Sequence, residues 1–251
     1  MADSEEQNEF DDAAVVYPYA RGSRYLNQVN ENVVDLDYIP QRKVGRFYFA
    51  VKRLFDVVAS SLAIVVLSPV LLAAALAVKL TSRGPILFRD KRVGQNGKII
   101  DVLKFRSMYI DSESNPTKYL SPAQMVEWKR ERKVKNDPRI TKVGRFLRKT
   151  SIDELPQLFN IWIGNMSVVG PRPVTKREIE ENFTPAEQAV ILSAKPGLTG
   201  YWQVYGRSDV SYESGRRSRL TLDYFAYRSL GLDLELILLT IPAVLKGSGA
   251  E

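Results

Sequence analysis

The chain has 251 residues, 45% of them hydrophobic, with no cysteine, no histidine and a formal net charge of +7. That is enough apolar material for a buried core, and it excludes thiolate nucleophiles, disulfides, Cys/His zinc sites and any histidine-dependent triad. Catalysis must then rest on carboxylates, lysines, hydroxyls or a metal held by oxygens, and with no GxxxxGK[ST] or GxGxxG loop the common nucleotide folds lose support.

The charge is unevenly placed. Residues 1–41 hold nine acids (Asp3, Glu5, Glu6, Glu9, Asp11, Asp12, Glu31, Asp35, Asp37) against Arg21 and Arg24, which leaves 34 basic and 20 acidic residues in the remainder. Such a remainder suits an anionic partner: a membrane surface, a nucleic acid or a phosphorylated substrate. The acidic segment lacks sustained periodicity and reads as a flexible tail over 1–41, not a signal peptide, because its start is acidic and no apolar core follows.

Residues 42–83 read as a membrane segment. Val57 to Val78 is an uncharged run of 22 residues, long enough to cross a bilayer as a straight helix. Pro69 sits in its middle and removes the N–H that would bond the Val65 carbonyl, while the Ser68 hydroxyl can serve the freed group. Basic residues flank both ends: Arg42, Lys43, Arg46, Lys52 and Arg53 upstream, Lys79, Arg83, Arg89, Lys91 and Arg92 downstream. Positive flanks favour the cytoplasmic side, so a helix broken at Ser68-Pro69 that enters and leaves by one leaflet satisfies both. The competing reading is a buried core helix of a soluble protein. RKVGRFYFAV, Arg42 to Val51, mixes basic and aromatic residues as an interfacial anchor does.

Residues 84–251 read as a cytosolic domain. Ile86–Arg89 and Ile99–Phe105 are short extended segments turning at Gln95-Asn96-Gly97. Helical patterns cover 122–135, interrupted at Asp137-Pro138, and 141–149, which carries Val143, Phe146 and Leu147 on one face. Leu155–Trp162 is apolar enough for core, Val174–Asn182 and Pro185–Ser193 are amphipathic, and Leu232–Leu245 is a further apolar stretch. The fold class is α+β, helix-rich with a few short strands, without the regular βαβ alternation of a doubly wound sheet.

In KTSIDELPQLFN, Asp153 and Glu154 stand side by side. Ser151 to Glu154 fits the spacing of a capping box at a helix start. Pro156 weighs against this, since it would be the fifth helical residue; a helix starting nearer Pro156 leaves both acids in the preceding turn.

Several phrases together, KRLFDVV, Ser68-Pro69, GPILFRDKRVGQNG, KFRSM, DPRITKVGRFLRKTSIDELPQLFN, VVGPRP, KPGLTGYWQVYGR and LTLDYFAY, resemble in order the bacterial sugar transferase family of monotopic phosphoglycosyl transferases, in its exopolysaccharide-initiating, catalytic-domain-only form. The resemblance spans residues 50–246. It implies transfer of a sugar 1-phosphate from a UDP-sugar to polyprenyl (undecaprenyl) phosphate with release of UMP, dependence on Mg2+, a re-entrant membrane helix broken at Ser68-Pro69 with amphipathic surface helices, and a place at the inner leaflet of the bacterial cytoplasmic membrane with the catalytic domain facing the cytoplasm. No nucleic-acid partner is implied, and a homo-oligomer is left open. The family's Asp-Glu dyad falls on Asp153-Glu154, as catalytic pair and metal ligands. A carboxylate can act as nucleophile, so Asp153 is expected to form an aspartyl-phosphosugar intermediate, with Glu154 holding metal or positioning the acceptor.

Arg172, held between Pro171 and Pro173, leads the candidate phosphate clamps, followed by Arg207, Lys104 and Arg106; Arg145 fits a helix surface equally well. Asp223 matches a family position but also suits pairing with a structural arginine. Tyr201 and Trp202 fit either ring stacking or core packing. Galactose or glucose is the favoured sugar. The rival reading is a non-enzymatic basic membrane adaptor for anionic lipid or nucleic acid.

Overall fold

The computed structural model describes residues 41–131, 134–206 and 215–245. The expected acidic tail therefore lies, except for Gln41, outside the described residues, and so does Arg207.

The first element is a 36-residue helix, α1 (Arg46–Thr81), with Pro69 inside it. A break into two helices at Ser68-Pro69 was expected; α1 is instead continuous in its helical assignment. The Ser68 hydroxyl donates to the Val65 carbonyl at 2.7 Å, so the acceptor that Pro69 leaves without its usual N–H partner is satisfied one residue away. One stripe of α1, carrying Tyr48, Asp56, Ser60, Ala74 and Val78, is buried. The opposite stripe, including Leu54, Val58, Leu62, Val65, Leu72, Leu76 and Leu80, is exposed.

Polar anchors fix both ends of α1 to the same folded body. Near its start Lys52 binds Asp233 at 2.8 Å, Arg53 donates to the Ile161 and Trp162 carbonyls, and buried Asp56 accepts from Ser167 Oγ and Val168 N. Just past its end, Arg106 donates to the carbonyls of Ser82 and Arg83 and to Ser82 Oγ.

An antiparallel pair, β1 (Leu87–Val93) and β2 (Ile99–Phe105), follows α1. Its connection bends through Asn96 and Gly97 with φ of 58° and 75°, the left-handed region those two residue types tolerate best. Then come α2 (Pro122–Glu131), α3 (Lys142–Lys149) and α4 (Gln157–Ile163). The Thr141 hydroxyl caps α3 by accepting from Gly144 N. Leu158 and Ile161 of α4 are core as expected, whereas Phe159, Trp162 and Ile163 face outward.

The three-residue strands β3 (Ser167–Val169) and β4 (Gly197–Thr199) pair in parallel. Between them lie α5 (Lys176–Asn182) and α6 (Pro185–Ile191), each opened by a complete Thr/Glu capping box. The chain continues through α7 (Tyr201–Tyr205), α8 (Arg216–Tyr227) and α9 (Leu230–Leu245). Val169, Ile179, Val190, Phe225, Leu232 and Leu236 belong to the main core, and two smaller clusters join α1 to β2, α3 and α4.

Candidate active site

The dyad sits on a single 3-10 turn, Ile152–Glu154, between α3 and α4. The capping-box reading fails: Ser151 is left-handed (φ 55°) and caps nothing. Pro156 precedes the first residue of α4, where its fixed φ and missing N–H cost least. Both acids are therefore outside regular helix, with side chains free of its spacing. In a turn of three residues per revolution, successive side chains point about 120° apart. Ile152 lines one recess and Glu154 lines another, and Asp153 is the residue that joins them in the chain.

The recess on the Glu154 side is a polar cavity. Lys104 of β2, Gln157 of α4, Arg172 from the loop after β3, Asp90 and Arg92 of β1 and Gln203 of α7 line it with Glu154. At about 30 Å³ it holds the reacting groups of a ligand, not a whole nucleotide. The recess on the Ile152 side is an apolar groove of about 650 Å³ between the second half of α1 and α3, lined by Pro69, Ala73, Ala77, Val143, Phe146 and Ile152, with Lys142 at its edge.

Two devices hold the cavity in shape. Asn160, 1% exposed, accepts from Leu103 N at 2.8 Å and donates to the Asp101 carbonyl at 2.7 Å. It thus pairs with the free edge of β2 as a third strand would and holds α4 against Lys104. Across the cavity, Gly170 and Gly197 approach so closely that a Cβ on Gly170 would stand 2.4 Å from the Lys195 carbonyl, and one on Gly197 would stand 2.2 Å from Gly170 N. Only glycine allows this contact, which brings the loops carrying Arg172 and Gln203 together.

Charge separates the two acids. Lys104 Nζ binds Glu154 at 2.8 Å. Burial pushes the Glu154 carboxyl up, but the Lys104 charge and hydrogen bond, with Arg172 and Arg92, outweigh it and hold the group below its ordinary range. Asp153 is 8% exposed, and burial followed by repulsion from Glu154 raises its carboxyl, with Lys104 and Arg148 pulling the other way. No hydrogen bond or ion pair from another side chain reaches the Asp153 carboxylate among the described residues. Two neighbouring carboxylates driven in opposite directions suit different roles.

The candidate clamps divide. Lys104 and Arg172 line the cavity, and Arg172 also lies 5.3 Å over the Trp202 ring. Arg106 does not line it: the residue is 6% exposed and its guanidinium is committed to the carbonyls at the end of α1. Arg145 stays exposed on α3. Trp202 stacks on Arg172 and Arg217, and Tyr201 packs in the core. Among the described residues Asp223 has no arginine ion pair; burial raises its carboxyl to about 6 against the pull of Arg219.

Sequence reasoning missed Arg148. It lies in the last turn of α3, donates Nε to Ser107 Oγ at 2.8 Å and carries its charge beside Asp153. Its signal was present in its position one turn before the dyad. Asn160 and Gln157, in the same quoted stretch, were missed too.

The dyad fits a divalent cation of the hard, oxygen-seeking kind. Two adjacent carboxylates are available, one of them without a partner, while no cluster of three or more metal-ligating side chains exists among the described residues. Mg2+ is held in this way, by one or two carboxylates with water and substrate phosphate completing its shell.

Comparison with known proteins gives the family. The family model for bacterial sugar transferases matches residues 47–247. The chain is 43% identical over 204 residues to undecaprenyl-phosphate galactose phosphotransferase of Salmonella typhimurium, covering 79% of this chain and 41% of that protein. It is 43% identical over 201 residues to exopolysaccharide production protein ExoY of Rhizobium meliloti, covering 79% and 87%. To UDP-glucose:undecaprenyl-phosphate glucose-1-phosphate transferase of Klebsiella pneumoniae it is 43% identical over 195 residues, covering 76% and 39%. The chain thus spans about two fifths of the length of the Salmonella and Klebsiella relatives and most of ExoY.

Proposed function

The chain belongs to the bacterial sugar transferase family, and we propose that it transfers a hexose 1-phosphate from a UDP-hexose, galactose or glucose, to undecaprenyl phosphate in two steps through Asp153. The observation that carries this reading is that buried carboxylate, unpaired by any other side chain among the described residues, on a turn whose flanking residues Glu154 and Ile152 line a cationic polar cavity and an apolar groove.

In the first step a carboxylate oxygen of Asp153 attacks the sugar-bearing phosphorus. The bond to the second phosphate breaks, UMP leaves with its electron pair, and the sugar phosphate stays on Asp153 as an acyl phosphate. In the second step a phosphate oxygen of the polyprenyl phosphate attacks the same phosphorus and the Asp153 carboxylate is released. Lys104 and Arg172 neutralise the phosphate oxygens, which is most of what phosphoryl transfer asks of a protein. Mg2+, held by Asp153 and Glu154, supplies further charge neutralisation when bound. The donor's reacting phosphate enters the polar cavity, and the acceptor's hydrocarbon lies in the groove beside Pro69. An adaptor has no use for a buried carboxylate that no side chain pairs, next in the chain to one that lines a cationic pocket.

The same reading puts the protein at the inner leaflet of the cytoplasmic membrane. The exposed apolar stripe of α1, with exposed Phe146, Trp162, Ile163, Leu234 and Leu238 on the neighbouring helices, supplies the contact surface. In this reading α1 dips into one leaflet around Pro69 and returns, because both of its ends are tied to the same body.

The test is UMP release over a panel of UDP-sugars with and without undecaprenyl phosphate. Sustained release with UDP-galactose or UDP-glucose plus acceptor supports the reading, and none with any donor sinks it. The pH profile adds a second check. The reaction needs ionised Asp153, so the rate should fall on the acid side through a pKa above the ordinary carboxylate range. Lys104→Met removes a charge that lowers that pKa, so the acid limb should move to higher pH; a limb that stays or moves down contradicts the assignment.

A further inference from the structure

The polar cavity contains two side chains for which the two-step reaction has no use. Gln157 is 4% exposed, lines the cavity, and its amide makes no hydrogen bond among the described residues. Gln203 enters from α7 on another wall, and its Oε1 is buried without a partner. Buried carboxamides are normally satisfied, and an orphaned one costs the full desolvation of the group. Gln203 Oε1 is such an orphan, and with the Gln157 amide lining the same cavity it indicates that the missing partner is the ligand.

The chemistry of that partner follows from the walls. Lys104, Arg92 and Arg172 donate and cannot accept, which suits phosphate oxygens. The acidic acceptors are already engaged, Asp90 by Arg92 at 2.7 Å and Glu154 by Lys104 at 2.8 Å. The amides supply free acceptors and free donors in the same group, the complement of a hydroxyl, which is both. Position selects which hydroxyls. The reacting phosphorus must lie within reach of Asp153, and Gln157 is four residues on, in the first turn of α4. The sugar hangs directly from that phosphorus, whereas uracil is separated from it by a phosphate and a ribose.

We infer that Gln157 and Gln203 read the hydroxyl groups of the donor's hexose and so set the sugar specificity of the enzyme. This rests on the proposed donor reaction and deepens it.

The experiment compares wild type, Gln157→Met and Gln203→Met as full-length protein. The substrates are the best UDP-hexose, its ring-deoxy analogues and the same hexose on CDP, and kcat/KM is measured from nucleotide release. Wild type should prefer the hydroxylated sugar over at least one deoxy analogue by about tenfold or more, because a site built for a hydroxyl is left with an unpaired polar group when it is missing. Each methionine variant should shrink that preference to about threefold or less and leave the UDP-to-CDP ratio unchanged. Ratios taken on one preparation cancel the active fraction, so a partly unfolded variant cannot mimic the result. The inference is overturned if the variants keep the wild-type sugar preference, or if the change falls on the UDP-to-CDP ratio, which would assign the amides to the nucleobase. Wild type releasing no nucleotide from any donor would overturn the donor reaction itself, a separate outcome.

Discussion

Asp153→Asn is expected to lower UMP release by at least about a thousandfold, because an amide is a poor nucleophile and a poor cation ligand. The fold should not suffer, and linkage gives the direction. Burial raises the folded-state pKa of Asp153, so the folded protein binds that proton more tightly than the unfolded chain does. Stability from this group is fully present below the ordinary carboxylate pKa and is lost as pH rises through the raised value. At neutral pH the ionised carboxylate is therefore a burden on the native state, and the neutral, nearly isosteric asparagine should leave the melting temperature unchanged or higher. A variant that is inactive with a lowered melting temperature would point to a structural role. An active one would remove Asp153 from the chemistry.

The second large effect concerns which side of the membrane holds the two ends of α1. The chain has no cysteine, so Lys43→Cys and Arg83→Cys, both at exposed positions, each introduce one label site. Neither should react with a membrane-impermeant maleimide in intact cells, and both should react once the membrane is permeabilised. The reason is mechanical. Lys52 is held by Asp233 and Arg53 by the α4 carbonyls, while Ser82 and Arg83 are held by Arg106, and all of these partners belong to one body. A spanning helix would have to break one set of ties and carry its basic flank across the bilayer, against the preference of Lys and Arg for the cytoplasmic side. Labelling of either site from outside would end the same-side account.

Much of this architecture is legible in the sequence where local chemistry decides. Asn96-Gly97 announces the β1–β2 connection because those residues tolerate left-handed backbone, and Thr141 announces the start of α3. Pro156 explains why the dyad stays out of α4, and that argument proved better than the capping-box spacing of Ser151. The helix-rich fold with short strands was readable for the same reason. What was not legible depends on distant partners. The strands β3 and β4 are three residues each, too short for any alternation to register. Arg106 reads as a phosphate clamp only until the end of α1 is seen to occupy it. Arg148 and Asn160 look like members of a basic run and an apolar run, and their roles emerge only when β2 and the loop at Ser107 are brought against them. The continuity of α1 through Pro69 also escaped the sequence, because a proline signals a missing bond and not whether a neighbouring hydroxyl replaces it.

The covalent step is the central claim, and the acceptor-free reaction tests it most directly. Enzyme, Mg2+ and the preferred UDP-hexose, without undecaprenyl phosphate, should release UMP in a burst no larger than the enzyme concentration. Mass spectrometry should then find a hexose-phosphate adduct on the peptide containing Asp153, lost when undecaprenyl phosphate is added and never formed by Asp153→Asn. No adduct on that peptide, together with UMP release that requires the acceptor from the first turnover, would mean direct transfer within a ternary complex and would contradict the role given to Asp153.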